Sequence, residues 1–265
     1  MDNCKVFRKI VEDAGNLLRE YYGIDYYVEV VGKGAFGDVS RRIDLLVEDY
    51  IVDQVASAGF KAWVLAEERG LRKLVDKPEY VVVVDPLDGS LNYTLRIPFF
   101  AVSLAVYPAH VGDITRALYG NVTGVFTGEV IEYCNERVYY NRVEVQSRLD
   151  KGLEVLSIYT EDPSVLQVVM EAFTRAGLKL KTRTMGAASL EASYAALGFI
   201  GQFAHLTGRV RNVDLAVALT IARVLGAYTY TQPPLSQIST TELQTIDKVV
   251  VASPRSPLLS VLDKI

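Results

Sequence analysis

Histidine and cysteine are scarce in this sequence, and their scarcity narrows the chemistry open to it. The 265 residues include two histidines and two cysteines. His110 and His205 stand apart without partner motifs, so a histidine-based catalytic triad or facial metal site has little support. Cys4 and Cys134 show neither a CxxC motif nor a Cys/His metal spacing, which predicts two buried thiols rather than a disulfide framework or a zinc site. Carboxylates are therefore the predicted reactive groups.

Basic clusters and long apolar runs are also lacking. The sequence has 28 Lys and Arg against 32 Asp and Glu, a formal net charge of -4, and no stretch concentrates positive charge. Binding through a nucleic-acid backbone requires a field of positive charge, so nucleic acid is excluded as an expected partner. No window approaches about 18 uninterrupted apolar residues, and no apolar signal core follows the charged start. We expect a cytoplasmic protein that does not bind membranes.

The hydrophobic pattern divides the chain near residue 147. Residues 1–147 combine amphipathic helices with strands separated by Pro, Gly and Asn turns, which is typical of an antiparallel sheet. Residues 148–265 alternate strands and helices, as layered α/β structures do. Because no flexible linker intervenes, we expect one tightly packed α+β unit, with residues 254–265 only peripherally packed. The predicted helices cover 3–22, 40–58, 163–176, 187–197 and 213–225, and the predicted strands 26–31, 62–66, 80–84, 101–107, 114–119, 124–126, 129–133, 153–158, 178–182 and 202–206.

A glycine-rich loop before the second helix matches the GxGxxG pattern of dinucleotide-binding proteins. Its glycines are Gly32, Gly34 and Gly37, and Asp49 or Asp53 lies near the expected acidic offset. In a dinucleotide-binding turn the helix begins within the glycines, so that its first amides meet the pyrophosphate, whereas here three residues intervene. An NAD(P)-binding oxidoreductase therefore rests on this short motif alone, and an ordinary surface loop is the competing interpretation.

The most informative stretch surrounds Asp85 and Asp88. An apolar strand over 80–84 delivers Asp85 to a rigid edge, a proline fixes the turn, and Gly89 permits an unusual backbone angle beside Ser90. If a short helix begins after Gly89, the amides of Gly89 and Ser90 point at an anion while the two aspartates hold hard cations beside it. An ordinary turn with a capping aspartate explains the segment equally well when it is taken alone.

Two further acidic sites favour a metal centre over an ordinary turn. Glu67 and Glu68 also follow an apolar strand, and Asp214 lies at the predicted start of a largely apolar helix. Taken separately, Asp214 is explained as an N-cap and the glutamates as a solvated loop. Three carboxylate sites at element ends, in a sequence with little histidine, are better explained together as a divalent-cation site. The predicted occupants are Mg²⁺ and a phosphate.

These motifs resemble those of the inositol monophosphatase and fructose-1,6-bisphosphatase superfamily over nearly the whole length. The matching segments are Ala66-Glu67-Glu68, Asp85-Pro86-Leu87-Asp88-Gly89-Ser90-Leu91-Asn92-Tyr93 and Val213-Asp214-Leu215-Ala216-Val217-Ala218. The glycine loop, continued through Asp38 to Asp44, is similar to the mobile active-site loop of the archaeal-type bifunctional fructose-1,6-bisphosphatase/inositol-1-monophosphatases. The resemblance implies a layered αβαβα sugar-phosphatase fold, two or three Mg²⁺ per active site, and a homodimer or homotetramer.

The resemblance also implies a role for each matching residue. The implied ligands of a first Mg²⁺ are Glu67, Asp85 and the Leu87 carbonyl. Those of a second Mg²⁺ are Asp85, Asp88 and Asp214. A weaker third ion would be bound by Glu67 with Glu68. Metal-activated water would attack phosphorus. Ser90, hydrogen-bonded to Asp44, would orient that water with the help of Glu68, and the amides of Gly89 and Ser90 would hold the phosphoryl oxygens.

The substrate side of the site is predicted from placement in the C-terminal half. The candidate contacts are Tyr159, Arg183, Arg211 and the turn Gly186-Ala187-Ala188. An arginine can bind a distal phosphate through a bidentate fork, and a solvated, salt-bridged surface is the competing interpretation for Arg211 and, less so, for Arg183. Thr207 stands where dedicated inositol phosphatases of the superfamily carry a Glu, which weakens selectivity for inositol.

The predicted function is therefore a Mg²⁺-dependent phosphomonoesterase acting on fructose 1,6-bisphosphate, inositol 1-phosphate or both. Its partner would be a small sugar or inositol phosphate. A 3′(2′),5′-bisphosphate nucleotidase of the same superfamily is the alternative within this class. A sugar-phosphate sensor without turnover is a third hypothesis, against which the intact acidic residues Glu67, Asp85, Asp88 and Asp214 argue.

Overall fold

The chain combines seven described helices with two large sheets and several short strands. The computed structural model describes residues 3–35, 37, 39–149 and 151–265. The helices are α1 Asn3–Glu20, α2 Asp25–Val28, α3 Arg42–Ser57, α4 Ser90–Thr94, α5 Pro163–Arg175, α6 Ala188–Leu197 and α7 Asn212–Leu225, with 3-10 helices at Leu235–Gln237 and Pro257–Lys264. The strands are β1 Val30–Lys33, β2 Val39–Arg41, β3 Ala62–Ala66, β4 Gly70–Lys73, β5 Tyr80–Asp88, β6 Ala101–Pro108, β7 Tyr119–Gly124, β8 Val130–Cys134, β9 Arg137–Tyr140, β10 Val143–Glu144, β11 Val155–Tyr159, β12 Lys181–Arg183, β13 Gln202–His205, β14 Val210–Arg211, β15 Tyr228–Gln232, β16 Thr245–Ile246 and β17 Lys248–Ala252. None of the described helices is long and apolar enough to cross a membrane.

Layers of helices enclose two large sheets. Within the described residues, the first sheet has eight strands in the order β10-β9-β8-β7-β6-β5-β3-β4, and the second has five in the order β12-β11-β13-β17-β15. Helices α1 and α3 pack on one face of the first sheet, and α6 and α7 lie between the sheets. Helix α5 and the 3-10 helix Pro257–Lys264 cover the far face of the second sheet. This order confirms the predicted α+β class and the αβαβα layering.

The strand that carries the central acidic motif is buried on both faces. Val82 and Val84 of β5 belong to the core under α1 and α3, whereas Val81 and Val83 belong to the core under α6 and α7. Successive side chains of a strand point to opposite faces, so an unbroken apolar run fits a strand covered on both sides. The acidic residues at the end of β5 are consequently held on a rigid support.

One parallel pair of strands brings two acidic motifs together. Strand β3 runs parallel to β5, with Ala66 opposite Val84. Because the carboxyl ends of parallel neighbours meet at the same sheet edge, Glu67, directly after β3, and Asp85, near the end of β5, lie side by side. The antiparallel register between β5 and β6 is irregular between Asp85 and Asp88. Such an irregularity bends the strand and re-aims its side chains.

Several predicted elements differ from the structure. The predicted strand over 26–31 is replaced by α2 and β1, and strand β7 occupies the gap between the predicted strands at 114–119 and 124–126. The expectation of a peripheral tail is wrong, because Leu258 and Val261 are buried against Val169 and Phe173 of α5. The second sheet needs a cover on its far face, and the apolar residues of the tail supply part of it.

A disulfide joins Cys4 of α1 to Cys134 at the end of β8, with the two Cα atoms 6.3 Å apart. The prediction of two separate thiols is therefore wrong. The two cysteines are 130 positions apart in sequence, and they become neighbours only when α1 packs across the first sheet. A cross-link of this kind stabilises a fold mainly by constraining the unfolded chain, typically by about 2 to 4 kcal/mol.

The GxGxxG segment lies in a hairpin rather than in a strand-to-helix turn. Strands β1 and β2 pair antiparallel, with Lys33 opposite Val39, and α3 begins only after β2. A dinucleotide-binding turn instead places the start of a helix at the glycines. The predicted loop residues Phe36 and Asp38 lie outside the described residues.

Candidate active site

Three carboxylates from different elements converge where β3 and β5 end. Glu67 follows β3, Asp85 lies near the end of β5, and Asp214 lies in the first turn of α7. Each offers one carboxylate oxygen, and these oxygens lie within 4.8 Å of one another. Asp85 and Asp214 are buried, and the Glu67 side chain is 15% exposed. The structure thus brings together three of the predicted metal ligands.

Burial and mutual repulsion raise the pKa values of these acids. Burial, followed by the charges of Glu67 and Asp214, raises the pKa of Asp85 well above its usual value. Burial raises the pKa of Glu67 to about 8, against the opposing charge of Arg211. Burial and then the charge of Asp214 raise the pKa of Asp88 to about 7. A divalent cation bound among these groups relieves their repulsion and favours their ionised forms.

The donor set suits a hard cation. Among the described residues, the cluster supplies carboxylate oxygens alone and includes no histidine or thiol. Oxygen ligands of this kind favour Mg²⁺, Mn²⁺ or Ca²⁺ over the softer metals that select thiolates and imidazoles. The residues present therefore fit a cation of the magnesium class.

Leu87 holds the side chain of Asp85 within the turn. Its amide donates to Asp85 Oδ1 at 3.0 Å, a local contact typical of aspartate in turns. The Leu87 side chain is buried in the core under α1 and α3. The role of the Leu87 carbonyl as a metal ligand stays a prediction.

Asp88 faces the start of α6. Its Oδ1 accepts from the Ala188 amide at 2.9 Å, and its Oδ2 accepts from the Ser189 amide at 2.8 Å and the Ser189 hydroxyl at 2.6 Å. Among the described residues, Asp88 is not a member of the cluster of three, although the charge of Asp214 raises its pKa. Asp88 thus connects the acidic turn of the first sheet to the helices between the sheets.

Gly89 forms a left-handed turn that packs directly on Gly186. Gly89 has φ 92° and immediately precedes α4, so the predicted short helix after this glycine is confirmed. A Cβ atom at Gly89 would lie 2.9 Å from the Gly186 carbonyl oxygen, and one at Gly186 would lie 2.6 Å from Asn92 Nδ2. Asn92 donates to the carbonyls of Phe99 and Met185, each at 2.7 Å. The two glycine turns predicted to contact substrate are therefore neighbours.

The predicted hydrogen bond between Asp44 and Ser90 is not made within the described residues. Asp44 lies in the first turn of α3, where its Oδ2 accepts from the Arg41 amide at 3.0 Å. Burial and then the charge of Glu68 raise the pKa of Asp44 to about 7. Ser90 begins α4, and its carbonyl accepts from the Thr94 hydroxyl at 2.9 Å. The catalytic roles of Asp44 and Ser90 stay predictions.

Glu68 is buried beside a carboxylate that sequence reasoning missed. The Glu68 amide donates to Glu48 Oε2 at 2.9 Å, and burial raises the pKa of Glu48 to about 7. The glycine loop lies against this pair, since a Cβ atom at Gly34 would be 3.1 Å from Glu68 Oε2. Glu48 follows Asp44 by four residues and so shares its face of α3. That spacing is the signal that could have revealed it.

The two predicted arginines lie in different environments. The Arg211 side chain is 15% exposed and forms an ion pair with Glu67. Its amide donates to Asp214 Oδ2 at 2.8 Å. Arg183 is exposed on the edge strand β12, where its guanidinium donates to the Thr182 carbonyl at 2.8 Å. Arg211 therefore belongs to the acidic site, whereas the hydrogen bond of Arg183 stays on its own strand.

Tyr159 supports the Gly186 turn from the second sheet. Its hydroxyl accepts from the Gly186 amide at 2.7 Å and donates to the buried carboxylate of Glu191. Its ring stacks on His205 with 4.8 Å between centroids, and burial lowers the pKa of His205 to about 4. Sequence reasoning missed Glu191, although it is the one charged residue in a helix of small and apolar residues. Contact between Tyr159 and substrate stays a prediction.

Known proteins share both this sequence pattern and this fold. The sequence model of the inositol monophosphatase family matches residues 4–256. An inositol-1-monophosphatase of Aeropyrum pernix is 32% identical over 228 residues, which cover 84% of this chain and 81% of that protein. A fructose-1,6-bisphosphatase/inositol-1-monophosphatase of Thermococcus kodakarensis is 32% identical over 202 residues, which cover 75% and 72%. A solved inositol monophosphatase-fructose 1,6 bisphosphatase shares the fold with a TM-score of 0.80, at 24% identity and 100% coverage of both chains.

Proposed function

The chain belongs to the inositol monophosphatase family, and we propose that it is a Mg²⁺-dependent phosphomonoesterase acting on fructose 1,6-bisphosphate, inositol 1-phosphate or both. The observation that carries this proposal is the convergence of Glu67, Asp85 and Asp214, whose oxygens lie within 4.8 Å of one another. The left-handed turn at Gly89 follows directly on the same strand. Clustered carboxylates bind hard cations, and exposed turn amides suit a phosphate beside them.

The proposed ligands of the cations come from two strands and one helix. Glu67, Asp85 and Asp214 supply carboxylates, and Asp88 with the Leu87 carbonyl completes the set for two or three ions. When bound, Mg²⁺ supplies Lewis-acid activation of water and neutralises charge on the phosphoryl group during in-line displacement.

The protein itself is proposed to hold the phosphoryl group and to orient the water. The amides of Gly89 and Ser90 donate to the phosphoryl oxygens, on which negative charge develops. Ser90 and Asp44 orient the attacking water, and Glu68 accepts hydrogen bonds near it. Burial raises the pKa of Asp44 to about 7, which suits a group that accepts a proton near neutral pH.

The sugar or inositol ring is proposed to lie against the turn Gly186-Ala187-Ala188. Arg211 pairs with Glu67, so a cation that binds Glu67 competes with this ion pair and leaves the guanidinium available to a phosphate. Thr207 offers a hydroxyl at the position where dedicated inositol phosphatases carry a Glu. A neutral side chain there accommodates a phosphorylated sugar without repelling a second phosphate.

Phosphate release from defined substrates tests the proposal. The protein is assayed with fructose 1,6-bisphosphate, inositol 1-phosphate and 3′-phosphoadenosine 5′-phosphate, each in Mg²⁺ and in excess EDTA. We expect release from one or both of the first two compounds in Mg²⁺ and none in EDTA. Release from the third compound alone identifies a nucleotidase, and binding of sugar phosphate without turnover identifies a sensor. A folded protein that releases no phosphate from either leading substrate refutes the proposal.

Mg²⁺ is expected to raise the melting temperature more at pH 8 than at pH 6. Burial raises the pKa of Glu67 to about 8 and that of Asp88 to about 7, both above the values of an unfolded chain. Proton uptake by these groups therefore stabilises the metal-free fold at low pH, and this contribution is lost as the pH rises through 7 to 8. At pH 6 Mg²⁺ must displace protons from these carboxyl groups, whereas at pH 8 a larger fraction of them is already ionised and can bind the cation directly.

Thermal melts at both pH values, with NaCl at matched ionic strength as the control, measure this difference. An equal or larger Mg²⁺ effect at pH 6 would contradict the assignment of these acids as ligands.

A homodimer or homotetramer is the proposed assembly. Leu91, Leu95 and Ile97, on and just after α4, are 63%, 60% and 44% exposed, and apolar side chains grouped on a surface are typical of protein interfaces. Light scattering at several protein concentrations measures the molar mass.

The cytoplasm is the proposed location, and a disulfide there has precedent in intracellular proteins of hyperthermophilic archaea.

A further inference from the structure

Glu191 accepts hydrogen bonds from the turn that leads into α6. The N-cap residue Ala187 has no side chain that can accept a hydrogen bond, so the first amides need acceptors from elsewhere. Glu191 is fully buried. It accepts from the amides of Met185, Gly186 and Ala187 at 3.1, 3.0 and 3.2 Å. One carboxylate therefore holds the whole turn that leads into the helix.

Asp88 accepts from the next two amides. Ala188 donates at 2.9 Å and Ser189 at 2.8 Å, so the amides of residues 185–189 are divided between Glu191 and a carboxylate of the acidic turn. The two acids are complementary because each satisfies donors that the other leaves unmatched. If Glu191 is lost, the amides of 185–187, of which that of Ala187 is buried, need a new acceptor, and Asp88 is the neighbouring carboxylate.

Contacts from both sides fix this arrangement. The hydroxyls of Ser157 and Tyr159 on β11 both donate to the Glu191 carboxylate, which anchors Glu191 to the second sheet. On the other side, Asn92 of α4 donates to the Met185 carbonyl at 2.7 Å. The turn that precedes the two amides bound by Asp88 is thus held between β11 and α4, with Glu191 as its internal support.

We propose that Glu191 is a positioning residue, which fixes the Met185–Ala187 turn and the start of α6 behind it, and thereby holds the Asp88 carboxylate in the position from which it would bind the metal. This inference rests on the proposed function, because Asp88 is a metal ligand only within it. Among the described residues, the hydrogen bonds of Glu191 do not include Asp88 or the carboxylate cluster of Glu67, Asp85 and Asp214. Glu191 would therefore act on Asp88 through the backbone of the turn. Residues that orient metal ligands typically change metal affinity or activity by about 10 to 100-fold when they are replaced.

Two substitutions of Glu191 and one matched control test the proposal. Glu191→Gln keeps the size of the side chain but replaces one acceptor oxygen by an NH₂ group that faces backbone donors. Glu191→Asp keeps the charge but shortens the reach. Glu171→Gln makes the same chemical change on the exposed surface of α5. Circular dichroism and thermal melting establish which variants are folded at the assay temperature.

Mg²⁺ binding is measured by calorimetry without substrate, together with the Mg²⁺ concentration for half-maximal activity, KM and kcat. We expect Glu191→Gln to bind Mg²⁺ about 10-fold more weakly and to show a higher KM, with kcat at saturating Mg²⁺ less affected. Glu191→Asp should recover part of the affinity, and Glu171→Gln should match the unmodified protein. A purely structural role would lower the melting temperature and leave the Mg²⁺ affinity of the folded protein unchanged, which would overturn the proposal.

The two proposals fail in distinguishable ways. If the unmodified protein binds Mg²⁺ but releases no phosphate from either substrate, the proposed function is refuted, and calorimetry still tests Glu191. If Glu191→Gln does not fold, Glu191→Asp decides by the same comparison. Weaker Mg²⁺ binding by folded Glu191→Asp supports the role of Glu191, and unchanged binding overturns it.

Discussion

Replacing Asp85 by Asn is expected to lower Mg²⁺-dependent phosphate release by about 10³-fold or more, since metal coordination supplies several kcal/mol of transition-state stabilisation. Asp85 is 1% exposed, and its carboxylate oxygen lies within 4.8 Å of those of Glu67 and Asp214. The amide of Asn has nearly the same shape but no charge, so it removes a ligand without creating a cavity. The loss should appear in kcat and in calorimetric Mg²⁺ binding.

The same variant should fold at least as well as the unmodified protein when no metal is present. Asp85 is a buried acid among other acids, and its raised pKa reflects burial and their repulsion. Removing one of these charges relieves the repulsion. The Leu87 amide, which donates to Asp85 Oδ1 at 3.0 Å, retains an acceptor in the Asn side chain. Urea denaturation at pH 8 in EDTA measures the free energy of unfolding.

Asp53→Asn is the matched control for this experiment. Asp53 is exposed on α3, and it is one of the two residues, with Asp49, that a dinucleotide-binding interpretation would use for the ribose. Its replacement should change neither phosphate release nor Mg²⁺ binding. Substantial phosphate release by Asp85→Asn, or a comparable loss in Asp53→Asn, would contradict the assignment of the metal site.

Replacing Gly89 by Ala is expected to destabilise the fold and to disable the site together. The new Cβ atom would lie 2.9 Å from the Gly186 carbonyl oxygen and 3.1 Å from Phe100 Cβ, and Gly89 has φ 92°. The left-handed backbone and the overpacking should lower the free energy of unfolding by about 2 to 4 kcal/mol. A shift of about 1 Å in a catalytic turn is enough to lower the rate about 100-fold, and Asp88 and Ser90 flank this glycine.

Gly128→Ala separates the clash from the backbone strain. Gly128 also has a left-handed φ of 72°, but a Cβ atom there would have nothing within 4 Å. It should lose about 1 to 2 kcal/mol and keep its specific activity. Urea denaturation and phosphate release compare the two variants. If Gly89→Ala loses no more stability than Gly128→Ala and retains full activity, the close packing of the two glycine turns has no functional consequence.

The acidic cluster was predictable because its signals are local. An apolar run that ends in acidic residues indicates that a strand is near its end, and this pattern occurs before both Glu67 and Asp85. The alternation of strands and helices predicted a layered arrangement for residues 148–265, since each apolar face must be covered by another element, and the resemblance to the superfamily implied the αβαβα order of the whole chain. The sequence also indicated the turn at Gly89, because Gly next to Asp and Ser favours a left-handed backbone before a short helix.

Other features depend on contacts between residues that are distant in sequence. The signals for the buried hydrogen-bond networks are an acid four residues after Asp44 for Glu48 and a single charge in its helix for Glu191. Both signals are equally common on solvated surfaces. The ion pair between Arg211 and Glu67 joins two motifs whose separate patterns say nothing about their distance. The same limitation explains the short strands β4 and β9, which carry too few residues to show a period.

The sequence by itself therefore determined where the acidic motifs lie and which strands and helices carry them. Hydrophobic periodicity and turn residues are local signals, so they can be read without knowledge of the tertiary structure. Only the tertiary structure decided how those residues are supported. The Cys4–Cys134 disulfide, the covering of the second sheet by the tail, and the division of the amides of residues 185–189 between Asp88 and Glu191 all require packed layers. Packing sets these distances, and no local pattern encodes them.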